Sequence, residues 1–139
     1  MTTDAGAAYL LLGPDVTSDV NLSYADTKFS GVNVNDWAGY SLAGGDDVDA
    51  DGFDDILIGA PQMLYMADYR GGAYLMSGEE TPSNVTSLSS ADARFIGKSD
   101  NSYAGYSVAI VDTNNDDYAD IVIGAPEEAT NGNLSGGVY

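Results

Sequence analysis

The stretch Asp47-Val48-Asp49-Ala50-Asp51-Gly52-Phe53-Asp54-Asp55 runs directly into Ile56-Leu57-Ile58-Gly59-Ala60-Pro61. Counted from Asp47, carboxylates stand at positions 1, 3, 5 and 9. Hard oxygen donors at alternate positions suit Ca²⁺, which takes about 6–8 oxygens at roughly 2.3–2.6 Å. Phe53, at position 7, offers only its backbone carbonyl, as such loops require. Gly52, at position 6, permits the positive φ that folds the chain back on an ion. The expected ligands are Asp47, Asp49, Asp51, Phe53 through its carbonyl, and Asp55. The bland alternative is a solvated acidic turn, which does not call for this regular spacing around a glycine.

The first half of the loop resembles an EF-hand, but the second half departs from it. Position 12, which an EF-hand fills with a bidentate Glu, is Ile58. An EF-hand also needs a helix on each side. Here the flanks are Tyr40 to Gly45 and Ile56 to Ile58, both short, Gly-bounded and strand-like. The loop therefore joins two strands.

The stretch recurs. Gly6-Ala7-Ala8-Tyr9 matches Gly71-Gly72-Ala73-Tyr74 and Gly136-Gly137-Val138-Tyr139, a spacing of 65 residues from tyrosine to tyrosine. Ala25 to Gly31 matches Ala91 to Gly97, so Lys28 and Arg94 occupy equivalent positions. Trp37-Ala38-Gly39-Tyr40-Ser41 matches Tyr103-Ala104-Gly105-Tyr106-Ser107, and Ile58-Gly59-Ala60-Pro61 matches Ile123-Gly124-Ala125-Pro126. Each period holds four short segments rich in Tyr, Val, Ile and Leu, and no sustained helical period is present. They are labelled A near 104–110, B near 119–124, C near 72–77 and D near 92–97. Four strands per repeat of this length predict an all-β chain of propeller blades.

The second loop is Asp112-Thr113-Asn114-Asn115-Asp116-Asp117-Tyr118-Ala119-Asp120. Asp112, Asp116 and Asp120 keep the carboxylates, Asn114 brings an amide oxygen, and Tyr118 supplies the position-7 carbonyl. Asp117 replaces the glycine, and Asp tolerates the left-handed conformation better than most residues. Two calcium ions per chain are expected, the second held by one charged ligand fewer.

Together the Ala-Gly-Tyr-Ser segments, the acidic loops and the two Gly-Ala-Pro triplets resemble the FG-GAP repeat. That repeat forms the blades of integrin α-subunit propellers and of many bacterial surface proteins. The resemblance covers nearly the whole chain. It implies a calcium-stabilised β-propeller of four-stranded blades, with the metal loop between strands A and B. It also implies adhesion or recognition, but fold alone does not name a ligand.

In blade terms the chain reads as a half blade at 1–36 (C-D), a complete blade at 37–98 and a half blade at 99–139 (A-B and the start of C). About two blades cannot close a ring that typically needs 4–8. Closure is expected from three or four copies sharing blades, or from further blades of a parent protein. An isolated arc would leave strand edges unpaired.

The 139 residues carry 22 acidic and four basic side chains, a net charge of −18. This repels nucleic acids and anionic membranes. Cys and His are both absent, which removes thiolate chemistry and the commonest general base. No stretch approaches the ~20 apolar residues of a membrane span. An extracellular or surface setting is expected, although no signal segment is visible; the Ala7 to Leu12 run is too short for one.

No Ser-His or Cys-His pair and no phosphate loop is present, so the chain is expected not to be an enzyme. The B-C loop from Gln62 to Arg70 differs wholly from its counterpart Glu127 to Ser135. Loops that vary on a repeated scaffold often bind, so Met63, Tyr65, Tyr69 and Arg70 are candidate contacts for a protein or glycan ligand. The competing reading has them packed against a neighbouring blade. Trp37, Tyr9, Tyr74, Phe29 and Phe95 recur with the repeat and are expected in the core. The alternatives to recognition are part of a carbohydrate-active enzyme, such as a polysaccharide lyase, and a purely architectural module.

Overall fold

A computed structural model describes residues 4–13, 18–78, 84–130 and 133–139. The Met1 to Thr3 start and residues 131–132 of the second B-C loop lie outside them. In chain order the strands are β1 (Ala7–Leu10), β2 (Thr27–Ser30), β3 (Ser41–Gly44), β4 (Ile56–Ala60), β5 (Leu64–Tyr65), β6 (Asp68–Tyr69) and β7 (Gly72–Met76). There follow β8 (Val85–Ser87), β9 (Ala93–Ile96), β10 (Ser107–Val111), β11 (Asp120–Ala125), β12 (Ala129–Thr130), β13 (Asn133–Leu134) and β14 (Gly137–Val138).

The middle of the chain forms one four-stranded antiparallel meander, β3-β4-β7-β9. These strands take the places A, B, C and D of a propeller blade. On one side lies the β1-β2 pair, and on the other the β10-β11-β14 sheet. The three sheets make an open arc, so the architecture is a partial β-propeller.

Alternation along β4 and β7 explains why the blade is buried on both faces. Ile58, Ala60, Tyr74 and Met76 pack with Ala8, Phe29, Met63 and Leu88 toward the first sheet. Leu57, Ala73 and Leu75 pack with Ala104, Ile123 and Ala125 toward the third. Side chains of a strand point alternately to opposite faces, so a run such as Ile56-Leu57-Ile58 supplies both cores at once. Leu57 and Ile58 are fully buried, each contributing about 1.5–3 kcal/mol.

The recurring motifs meet across the sheets. Ser41 pairs with Gly59, and Ser107 with Gly124. Ser41 Oγ donates 2.8 Å to the carbonyl of Gly105 in the next sheet. A Cβ on Gly59 would collide with both Ser41 Oγ and the Gly105 carbonyl. The glycine of Ile-Gly-Ala-Pro is thus the space that lets neighbouring blades close on each other.

Two features depart from the sequence expectation. β8, from the C-D connection of the middle repeat, pairs in parallel with β2. The first sheet thereby borrows a strand from the next repeat, which covers the otherwise unpaired edge of strand D. Tyr9 is 37% exposed, whereas its equivalent Tyr74 is 1% exposed. Tyr74 faces the first sheet, and no described element stands in the corresponding place against Tyr9. Phe29 is buried and Phe95 half-buried, as core residues of their repeats.

Candidate functional site: two acidic loops and the hairpin at the other end of the blade

The first acidic loop is built by its own carboxylates. Asp47 accepts the Ala50 amide at 2.6 Å on Oδ1 and the Gly52 amide at 2.8 Å on Oδ2. Asp49 accepts the Asp51 amide at 3.1 Å, and Asp51 accepts the Phe53 amide at 2.8 Å. Short side chains reaching amides two or three residues on are the reason Asp favours turns. The bends fall at Ala50 and Gly52, with φ of 63° and 94°.

Asp55 is fully buried at the start of β4's approach. Its Oδ2 accepts the Val48 amide at 2.8 Å and its Oδ1 the Gly78 amide at 2.8 Å. Asp49 Oδ2 in turn accepts Ser77 Oγ at 2.9 Å. The end of strand C therefore buttresses the A-B loop. One oxygen from each of Asp47, Asp49 and Asp55 falls within 4.8 Å of the others. Such an all-oxygen cluster matches the donor preference of Ca²⁺. The carboxylate of Asp51 is turned to Phe53 and stays outside the cluster; both residues are exposed.

The second loop repeats four of these bonds. Asp112 accepts the Asn115 amide at 2.7 Å and the Asp117 amide at 3.3 Å, Asp116 accepts the Tyr118 amide at 3.0 Å, and Asp120 accepts the Thr113 amide at 3.0 Å. Asn115 and Asp117 take φ of 62° and 68°, so Asp117 adopts the turn that Gly52 adopts. Position 3, which Asp49 fills in the first cluster, is Asn114 here, so the converging set has one carboxylate fewer. Asp112 is also held by the Asn114 and Asp116 amides, and Asp120 takes the Thr113 hydroxyl as well. That hydroxyl, then the Thr113 amide, holds the Asp120 carboxyl below its ordinary range. The counterpart of Gly78 would fall four residues past Tyr139. The two loops touch, since the Ala119 amide donates 3.3 Å to the Asp47 carbonyl.

The B-C segment of the middle blade folds into the β5-β6 hairpin, closed by Met66 and Ala67 with φ of 50° and 72°. Met63 is 1% exposed and belongs to the core, so it lies under the hairpin and not on its surface. Tyr65 and Arg70 are half-buried, Tyr69 is 46% exposed and Met66 is 79% exposed. Asp36 was missed in the sequence reading. It is fully buried, accepts the Asn33 amide at 2.9 Å and the Leu64 amide at 3.1 Å, and so fixes the hairpin's base. Trp37 is 42% exposed and stacks on Tyr40 at 5.9 Å, which meets Tyr106 at 4.8 Å. Trp37 takes φ of 58°, as its repeat counterpart Tyr103 takes 52°, and lies outside the core expected for it.

A family model described as FG-GAP repeat matches residues 38–76 and 104–139, more than half of the chain and both acidic loops. The chain belongs to the FG-GAP repeat family. Among curated FG-GAP relatives, integrin alpha-PS2 of Drosophila melanogaster is 31% identical over 122 residues, 88% of this chain and 8% of the relative. Integrin alpha-V of Gallus gallus is 38% identical over 90 residues, 65% of this chain and 8% of the relative. The chain thus spans about a twelfth of the length of the relatives it matches. The FG-GAP assignment fits the three-sheet arc of a partial propeller. No helix among the described residues is long and apolar enough to cross a membrane.

Proposed function

We propose that the chain is a calcium-binding propeller module for extracellular recognition or adhesion, with no catalytic role. The observation that carries this reading is the convergence of Asp47, Asp49 and Asp55 in an FG-GAP blade. One calcium ion is held by Asp47, Asp49, Asp51, the Phe53 carbonyl and Asp55, after Asp51 swings in from Phe53. A second is held by Asp112, Asn114, Asp116, the Tyr118 carbonyl and Asp120. The metal neutralises carboxylates that otherwise repel and pins each A-B connection, coupling binding to folding. The blade limits are 1–36, 37–98 and 99–139. The ligand surface is the β5-β6 hairpin that carries Tyr65, Tyr69 and Arg70, with Met63 in the core beneath it.

Further blades complete the ring, supplied by a parent protein in preference to copies of this chain. β14 already pairs with β11 through Gly124–Val138 and Ala125–Gly137, as β7 pairs with β4. A second copy's β1 would have to displace it.

The test is thermal unfolding in 10 mM calcium and in chelator. With dissociation constants of about 10⁻⁴–10⁻³ M, typical of extracellular modules, each site stabilises by about 1.4–2.7 kcal/mol. Identical melting in both conditions overturns the reading.

A further inference from the structure

The segment around β8 fastens the middle blade to the first sheet in two ways. Its backbone runs along the outer edge of β2, where the Lys28 amide donates 3.1 Å to the Asn84 carbonyl. A single 3₁₀ turn, Leu88–Ser90, follows. Leu88 is 1% exposed and packs with Phe29, Ala38, Ile58 and Tyr74 in the seam between the two sheets. The segment is thus a strand that ends in a leucine plug.

The next seam has the same seat without an occupant among the described residues. Gly31 and Gly97 donate inward, to the Gly6 and Gly71 carbonyls at 3.0 and 2.9 Å. Alternation along an antiparallel strand therefore turns the N–H groups of Lys28 and Ser30, and of their equivalents Arg94 and Ile96, outward. Those of β2 face β8, whereas β9 ends its sheet and no described strand lies along it. Arg94, Phe95 and Ile96 also border a cavity of about 340 Å³, whose wall includes Ala104, Ile123 and Tyr139. Phe95, Ala104, Ile123 and Tyr139 are the repeat equivalents of Phe29, Ala38, Ile58 and Tyr74, the residues packed with Leu88.

The first repeat holds the complementary half. Asp19-Val20-Asn21-Leu22 stands where Val85-Thr86-Ser87-Leu88 stands in the middle repeat. Both are capped alike, since Asn21 accepts the Ser23 amide at 2.9 Å and Ser87 the Ser89 amide at 3.2 Å. Yet Leu22 is 48% exposed, and residues 19–21 belong to no strand. The turn forms by itself; burial of its leucine requires a neighbouring blade.

We propose that the β9 edge and the adjoining cavity form a docking site for the C-D connection of a further FG-GAP blade, an extended segment that pairs in parallel and ends in a leucine. Residues 19–22 are the matching donor toward a blade on the other side. The inference rests on the reading that further blades complete the ring, and names the surfaces by which they attach. An unpaired strand edge is a template for strand addition, with backbone bonds giving affinity and a side-chain pocket giving specificity. The seating of β8 and Leu88 on the equivalent edge identifies the occupant.

The test follows amide hydrogen exchange at fixed calcium in the whole chain, and in the chain extended past Tyr139 by a copy of residues 75–97. The copy continues the repeat because Tyr139 matches Tyr74. In the chain itself, the Arg94 and Ile96 amides should exchange more than about tenfold faster than those of Lys28 and Ser30. In the extended chain they should slow by about tenfold or more, and Leu88→Ala in the copied segment should abolish the slowing. Leu88→Ala in the chain itself should release Lys28 and Ser30, whereas Leu22→Ala should not. Protected Leu57 and Ile58 amides verify that each variant folds. Protected copied strands beside fast Arg94 and Ile96 overturn the docking site and leave the further-blade reading standing. Free exchange throughout the copy overturns both. Arg94 protection that grows with the concentration of the unextended chain shows a second copy in the seat and overturns the assignment to a further blade.

Discussion

Asp55 and Gly78 are bonded at 2.8 Å across 23 residues of sequence. This one contact ties the acidic A-B loop to the end of strand C, with the Val48 amide on the carboxylate's other oxygen. The loop's shape therefore depends on the blade being formed, and the blade's edge on the loop being ordered.

The substitution Asp55→Asn replaces one acceptor with a donor that faces an N–H. A hydrogen bond to a charged group contributes about 1.5–3 kcal/mol, so a loss of about 2–3 kcal/mol is expected even in chelator. Denaturant unfolding of the two proteins without calcium measures it. An unchanged midpoint would show that the buttress is not needed for folding.

The repeat, the strand order and the loop chemistry were legible in the residues, because each is local: Gly52 and Asp117 stand where a left-handed turn is needed, and Ile-Gly-Ala-Pro reads as a buried strand. What was not legible depends on contacts between repeats. Val85-Thr86-Ser87 has nothing in its composition to mark it as the parallel partner of β2. Met63 looks like any loop methionine, yet it is packed between Ile58, Ala60 and Tyr74. Trp37 recurs with the repeat as Tyr103 does, and both take a left-handed backbone, so recurrence here marks a turn and not a core position. Asp36 gave a faint signal, an Asp closing an Asn-rich turn, but the amide it accepts from Leu64 lies 28 residues away.

Glycines at two positions of positive φ separate strain from collision. Gly52, φ 94°, has open space around a would-be Cβ, so Gly52→Ala costs only the left-handed penalty of about 1–2 kcal/mol. Gly105, φ 82°, would drive a Cβ into the Gly72 carbonyl of the neighbouring blade. Gly105→Ala adds overpacking of about 1–3 kcal/mol to that penalty. Equal destabilisation of the two variants in urea would contradict the interblade contact.

Alkali should loosen the middle blade. Burial first, then the nearby Asp36 charge, pushes the Tyr74 hydroxyl up to about 12, with Arg94 opposing. The folded chain then keeps this proton between pH 10 and about 12 while the unfolded chain loses it. Stability is full below pH 10 and falls as pH rises through that window. Tyr74→Phe should flatten the fall; an identical alkaline profile would show that Tyr74 does not govern it.

The measurement that bears most directly on the central claim is a calorimetric calcium titration of the chain beside Asp49→Asn and Asp116→Asn. Two binding events are expected in the parent, near 10⁻⁴–10⁻³ M. Each variant should lose or weaken one event and keep the other. Absence of calcium binding in the parent, or variants that titrate as the parent does, would contradict the assignment of a structural metal to each acidic loop.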